Sequence, residues 1–255
     1  MWTFREHQIE AFRQHQLQTF EDEMVDHLQK FAPRHWKVMG EQDGRRVIRL
    51  GIERARNYGF NNRGPVCYYI ELMFMFGSYY DSDPQYPWAS AVLNNSLLDQ
   101  MARAEHLFAS MNQYLRQVTG PDHQYLTLAM QRLTRYRSSD FVRSGLDLED
   151  SLLENLAIIY PQKHEYLGET VLRSLIKRGY ELAAKHGVAT QGGIVLMVVL
   201  TLAVGHRFPE DPLHTWIGRR LQDARRPDPR DRIEELYSKS MLYLNRGIWL
   251  PRLTN

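Results

Sequence analysis

The chain has 255 residues, 43% of them hydrophobic, 24% charged and 11% aromatic, a globular composition that excludes a disordered, collagenous or rod-like coiled-coil chain. Its 32 Lys and Arg stand against 30 Asp and Glu, a net of +2, so bulk charge points neither to nucleic acid nor to a membrane surface. The single cysteine, Cys67, forms no internal disulfide and reads as a buried thiol in a reducing, cytoplasmic setting.

Met1-Trp2-Thr3-Phe4-Arg5-Glu6 has no basic stretch followed by an apolar one, so no secretion signal is expected. From residue 20 onward the chain repeats itself. Shifted by about 128 positions, 20–88 aligns on 148–216 without a gap, about a quarter of the positions being identical. The first helix of each copy opens at Glu21-Asp22 or Glu149-Asp150. It keeps Met24, Val25, Leu28 and Phe31 in step with Leu152, Leu153, Leu156 and Ile159. Pro33 and Pro161 mark its end, and Gly40-Glu41 and Gly168-Glu169 begin the next helix. Gly51 and Ala55, like Gly179 and Ala183, give that helix a surface another helix can approach closely. Gly59 before Phe60, and Gly187 before Val188, predict a Schellman stop.

Asn62 and Thr190 are then expected to cap helices over 66–79 and 194–207, hydrophobic nearly all round and therefore central. The longest apolar run, 194–204, falls short of the roughly 20 residues that span a bilayer. Asp83-Pro84 and Asp211-Pro212 predict helix starts, with Trp88 and Trp216 anchoring them. With a one-residue offset, 105–115 matches 234–244. Between the copies lie Gly120, Pro121, a helix over 125–136 and the polar linker Arg137-Ser138-Ser139-Asp140. These elements predict an all-α fold of two tandem, related helical-bundle repeats, 1–140 and 141–255, in a pseudo-twofold arrangement.

The repeat acts as a control, since a residue replaced in the other copy is not required by the shared fold. His206, Glu210, Asp211 and His214 have metal-ligand chemistry, but their counterparts are Ser78, Ser82, Asp83 and Tyr86, which favours a solvated, capped loop and no metal. In the first copy that loop carries Tyr79, Tyr80, Asp81, Asp83, Tyr86 and Trp88. It lacks the Gly and terminal Glu of a calcium loop. Capping and packing explain most of it, and recognition of a protein partner is the functional reading, because aromatics with polar tips serve as interface anchors. Glu71 stands in the apolar helix where the second copy has Val199, and pairing with Arg54 or Arg56 is expected. Arginines 219, 220, 225, 226, 230 and 232 are interrupted by Asp223, Asp228 and Asp231, the pattern of a solvated surface. No P-loop, dinucleotide fingerprint, nucleophile elbow or paired-His zinc helix occurs, so no catalytic residue and no cofactor is expected.

The stretch Ile48-Arg49-Leu50-Gly51-Ile52-Glu53-Arg54-Ala55-Arg56-Asn57-Tyr58-Gly59-Phe60, with Leu72-Met73-Phe74-Met75-Phe76-Gly77 and Asp83-Pro84-Gln85-Tyr86-Pro87-Trp88-Ala89, resembles small helical proteins encoded beside bacterial type VI secretion toxins. The resemblance implies a non-enzymatic accessory role, as chaperone or adaptor for a secreted toxin or its carrier, or as an immunity protein that binds and inhibits a toxin. It carries over no catalytic residues, and a helical enzyme working around Glu71 and Asp81 is the remaining alternative.

Overall fold

The computed structural model describes residues 6–226 and 228–245. The outer ends of the two expected units, 1–5 and 246–255, lie outside the described residues, and most of the leader reading with them. Among the described residues the fold is all-helical.

Pro33 and Pro161 act as read from the sequence, each ending one helix and opening the next, because proline lacks the N–H a helix interior needs but fits its first turn. Helix α1 (Glu6–Phe31) thus leads into α2 (Pro33–Asn57), and far along the chain α7 (Leu148–Ile159) leads into α8 (Pro161–Lys185). Both α2 and α8 break sharply at a glycine, Gly40 (φ 78°) and Gly168 (φ 70°), where the sequence placed a helix start. Only glycine takes such angles at little cost. One arginine then ties each pair together. Arg45 reaches Asp22 (2.7 Å), Glu41 (2.9 Å) and Glu21 (3.1 Å). Arg173 reaches Asp150 (2.7 Å), Glu169 (2.8 Å) and Glu149 (2.8 Å).

The expected Schellman stops form at both ends. Phe60 N–H donates to Ala55 O and Gly59 N–H to Arg56 O; Val188 N–H donates to Ala183 O and Gly187 N–H to Ala184 O. The apolar helices that follow are α3 (Arg63–Phe76) and α9 (Gln191–Val204), each one turn earlier than predicted. They stop where Gly77 (φ 97°) and Gly205 (φ 124°) turn the chain out of helical geometry, which leaves 78–79 and 206–207 in loops. Thr190 caps α9 through Gly193 N–H (3.2 Å). Asn62 makes no side-chain cap: Pro65, three residues on, has no N–H to donate, and Gln100 Oε1 accepts the Asn61 and Asn62 amides (2.7 and 2.8 Å).

After α3 come a 3₁₀ turn at Tyr80–Ser82, α4 (Pro87–Leu93), α5 (Gln100–Tyr114) and α6 (Gln124–Leu133). After α9 come a 3₁₀ turn at Pro212–His214, α10 (Thr215–Leu221) and α11 (Pro229–Asn245). Thus α4 starts at Pro87 rather than at Pro84. Asp83 accepts from Gln85 N–H and makes a turn before the helix rather than its cap. One core gathers residues of α1–α5, Leu28, Ile48, Leu72, Met73 and Leu107 among them, and receives Leu213 from the far end of the chain. Leu152, Ile176, Val198 and Leu244 build a second core, and Leu182, Met197, Phe208 and Leu236 a third. Leu133 of α6 and Phe141 pack into the second core, although the sequence places residue 133 before the linker.

Candidate functional site

Where α3 and α9 end, the chain crosses over itself. The glycine stops bring the two helix ends so close that a Cβ on Gly77 would stand 3.0 Å from Val204 O, and one on Gly205 would stand 3.4 Å from an Asp83 carboxylate oxygen. Each loop then supplies a carboxylate to the other helix end. Asp211 accepts from Ser78 N–H (2.9 Å) and the Ser78 hydroxyl (2.6 Å), and Asp83 accepts from His206 N–H (2.9 Å). Each aspartate also accepts from the amide two residues on, Leu213 or Gln85, both at 2.9 Å. Gln85 Nε2 completes the seam by donating to Thr201 O (3.1 Å). Burial pushes the Asp211 carboxyl above the usual carboxylate range, and the Ser78 and Leu213 donations oppose that rise.

Of the six residues singled out in the sequence, Tyr80, Asp81, Asp83, Tyr86 and Trp88 are buried in this seam, and only Tyr79 is partly exposed. Asp81 has no acidic counterpart in the other loop. Its carboxylate takes Arg54 Nη2 (2.5 Å) and the Tyr69 hydroxyl (2.7 Å). The Arg54 guanidinium lies 4.9 Å from the centre of the Tyr79 ring, and the Arg207 guanidinium from the other loop lies 4.1 Å from it. Tyr79 is therefore held at the surface between a cation from α2 and one from the other loop, a contact favoured by the ring quadrupole. Beneath it, Tyr86 and Trp88 pack on Phe76 (ring centres 4.9 and 5.6 Å apart), and Tyr86 and Tyr114 lie 5.5 Å apart.

A cavity of about 140 Å³ runs along the seam, its wall including Phe76, Tyr86, Tyr160, Lys163, His35 and His214. Burial lowers the His35 pKa to about 3, with a further contribution from His214, and lowers that of His214 to about 4. Both imidazoles are neutral near pH 7 and flank the Tyr243 hydroxyl at 3.3 and 3.4 Å. Lys163 donates to Leu202 O (2.9 Å), and burial lowers its pKa to about 8 against the pull of Asp83.

His206, Glu210, Asp211 and His214 do not converge: they go to Asp83, to Lys185 and Arg207, to Ser78, and to Tyr243 respectively. Glu71 corrects the sequence reading, because its partner is His27 of α1 (2.6 Å), whereas Arg54 is committed to Asp81. Neither Glu71 nor Asp81 lines the cavity. Among the arginines from 219 to 232, Arg219 meets Asp43, Arg220 and Arg226 meet Glu235, and Arg225 meets Asp223. Sequence reasoning missed Arg207 and Arg54 as partners of Tyr79, and their separation in the chain gave no local signal. No family model, curated protein or solved structure matches the chain.

Proposed function

We propose that the chain is a non-enzymatic protein-binding accessory factor built from two related helical repeats in pseudo-twofold arrangement, acting as a cytoplasmic chaperone or adaptor for a type VI secretion toxin or its carrier. The observation that carries the reading is the reciprocal exchange at the seam. Asp83 and Asp211, 128 positions apart, each accept from the residue that follows the glycine stop in the other repeat. The two arginine clamps at Arg45 and Arg173 repeat at the same offset, with the same three carboxylate types. Two repeats joined in this way behave as a dimer in one chain, in which one copy keeps the fold and the other diverges toward a partner.

Tyr79, Asp81 and Arg54 are among the positions at which the copies differ, and together with Arg207 they leave one aromatic ring braced at the surface. Rigid aromatic anchors flanked by arginine are favoured centres of protein interfaces. The ionisable groups of the seam are occupied in holding the fold, which supports a binding role over a catalytic one. An immunity protein fits the same surface and differs in its consequence, since its binding would abolish the toxin's activity. Tagged full-length chain, expressed with the products of the neighbouring genes, is expected to co-purify with one of them and to lose it on Tyr79→Ala. A chain that retains none of those products counts against the proposal. Rescue of cells from the toxin separates immunity from chaperoning.

A further inference from the structure

Among the described residues, one group of three potential metal ligands has all its donor atoms within 4.8 Å of one another: His27, Cys67 and Glu71. Helix α3 sets Cys67 and Glu71 one turn apart on the same face, the i, i+4 spacing by which one helix offers two ligands to one ion. Helix α1 brings His27 alongside, its Nε2 2.6 Å from Glu71 Oε1, while Cys67 Sγ lies 3.9 Å from that same oxygen. The His27 ring is steadied by stacking on Phe31, with ring centres 5.9 Å apart.

The other repeat shows that the fold does not need these groups. At 128 positions on stand Asn155, Val195 and Val199, all buried, the two valines being core residues. The first copy has placed a thiol and a carboxylate where the second places apolar core, and has set an imidazole beside them. We propose that His27 Nε2, Cys67 Sγ and a Glu71 carboxylate oxygen bind one zinc ion, with water in the fourth position.

Imidazole, thiolate and carboxylate together suit this borderline-soft ion better than calcium or magnesium, which take oxygen ligands. Tetrahedral bonds of ordinary zinc length put such donors about 3.4–3.6 Å apart. Binding therefore opens the His27–Glu71 contact by under 1 Å and draws the Cys67 sulfur inward slightly. The site is reachable, since the His27 side chain is 42% exposed. Binding takes Cys67 as thiolate, its proton passing to solvent as the zinc–sulfur bond forms. The bound ion fastens α1 to α3, below the exposed first half of α1.

The test uses the full-length chain after chelator treatment. Calorimetric titration with zinc is expected to show one equivalent bound with release of a proton, and cobalt is expected to give a near-ultraviolet thiolate-to-metal band. Cys67→Ser removes that band, and His27→Gln and Glu71→Gln each weaken zinc binding at least tenfold. At zinc a hundredfold above Kd the melting temperature rises by about 5 °C. If Cys67→Ser fails to fold, as judged by circular dichroism, the wild-type cobalt band and the partly exposed His27→Gln variant decide the question. Absence of stoichiometric uptake by the wild type, or uptake unchanged in His27→Gln and Glu71→Gln, overturns the proposal.

Discussion

Replacing Asp211 with alanine tests whether the seam is held by the exchange of carboxylates. The side chain accepts from Ser78 N–H, the Ser78 hydroxyl and Leu213 N–H, and all three residues are buried. A buried donor left without an acceptor costs about 1–3 kcal/mol. The hydroxyl can turn to another acceptor, so two amides carry the loss, and about 1 kcal/mol is regained by no longer burying a polar carboxyl group. The expected net loss is about 3 kcal/mol. Asp99 is the control, because it also accepts from two amides, those of Met101 and Ala102, but within its own turn and at an exposed helix start. Water satisfies those amides in Asp99→Ala, which is expected to lose about 1 kcal/mol. Urea unfolding of both variants at pH 7, followed by far-ultraviolet circular dichroism, measures the difference. Equal losses would refute the reasoning, since burial and the crossing between loops would then add nothing.

His35 and His214 have folded pKa values of about 3 and 4, below the unfolded value of 6.5, so the unfolded chain takes up their protons first as pH falls. The stability they allow at neutral pH is lost from about pH 6.5 downward. At pH 5 each accounts for about 2 kcal/mol, and denaturant titrations of wild type and His214→Gln at pH 7 and pH 5 should show a smaller decline in the variant. Gly51→Ala and Gly179→Ala separate two kinds of close approach. A Cβ at Gly179 meets Val198 Cα at 2.8 Å and its N at 3.0 Å, while one at Gly51 meets only the side chains of Ile70 and Met73. Thermal unfolding should therefore show Gly179→Ala destabilised by about 3 kcal/mol and Gly51→Ala by about half as much. Tyr79→Ala removes a ring held by two cations and is expected to cost about 1 kcal/mol or less in stability. A pull-down with the proposed protein partner should nonetheless lose most of its yield.

The proline boundaries and the Schellman stops were legible because each depends on a few adjacent residues: a proline without a donor, a glycine with positive φ, an apolar residue just beyond it. The ends of α3 and α9 were misjudged by a turn because the helical period was carried through Gly77 and Gly205, and hydrophobicity does not register a backbone reversal. The sequence singled out the loop from Tyr79 to Trp88 for partner binding, yet its burial was not visible. Alternating aromatics and acids read the same whether they face solvent or the opposite loop. Glu71 was matched to the wrong partner for a related reason, since His27 stands 44 residues away in the chain.

By itself the sequence determined that the described chain is helical and where α1, α2, α7 and α8 stop, because those properties rest on local backbone preference and hydrophobic period. Only the tertiary structure decided which carboxylate meets which donor. Asp83 and Asp211 satisfy helix ends that lie 123 and 133 residues away, and His27 joins Cys67 and Glu71 across two helices. Such pairings are chosen by which buried groups would otherwise go unsatisfied once the helices have packed, and that is a property of the whole chain.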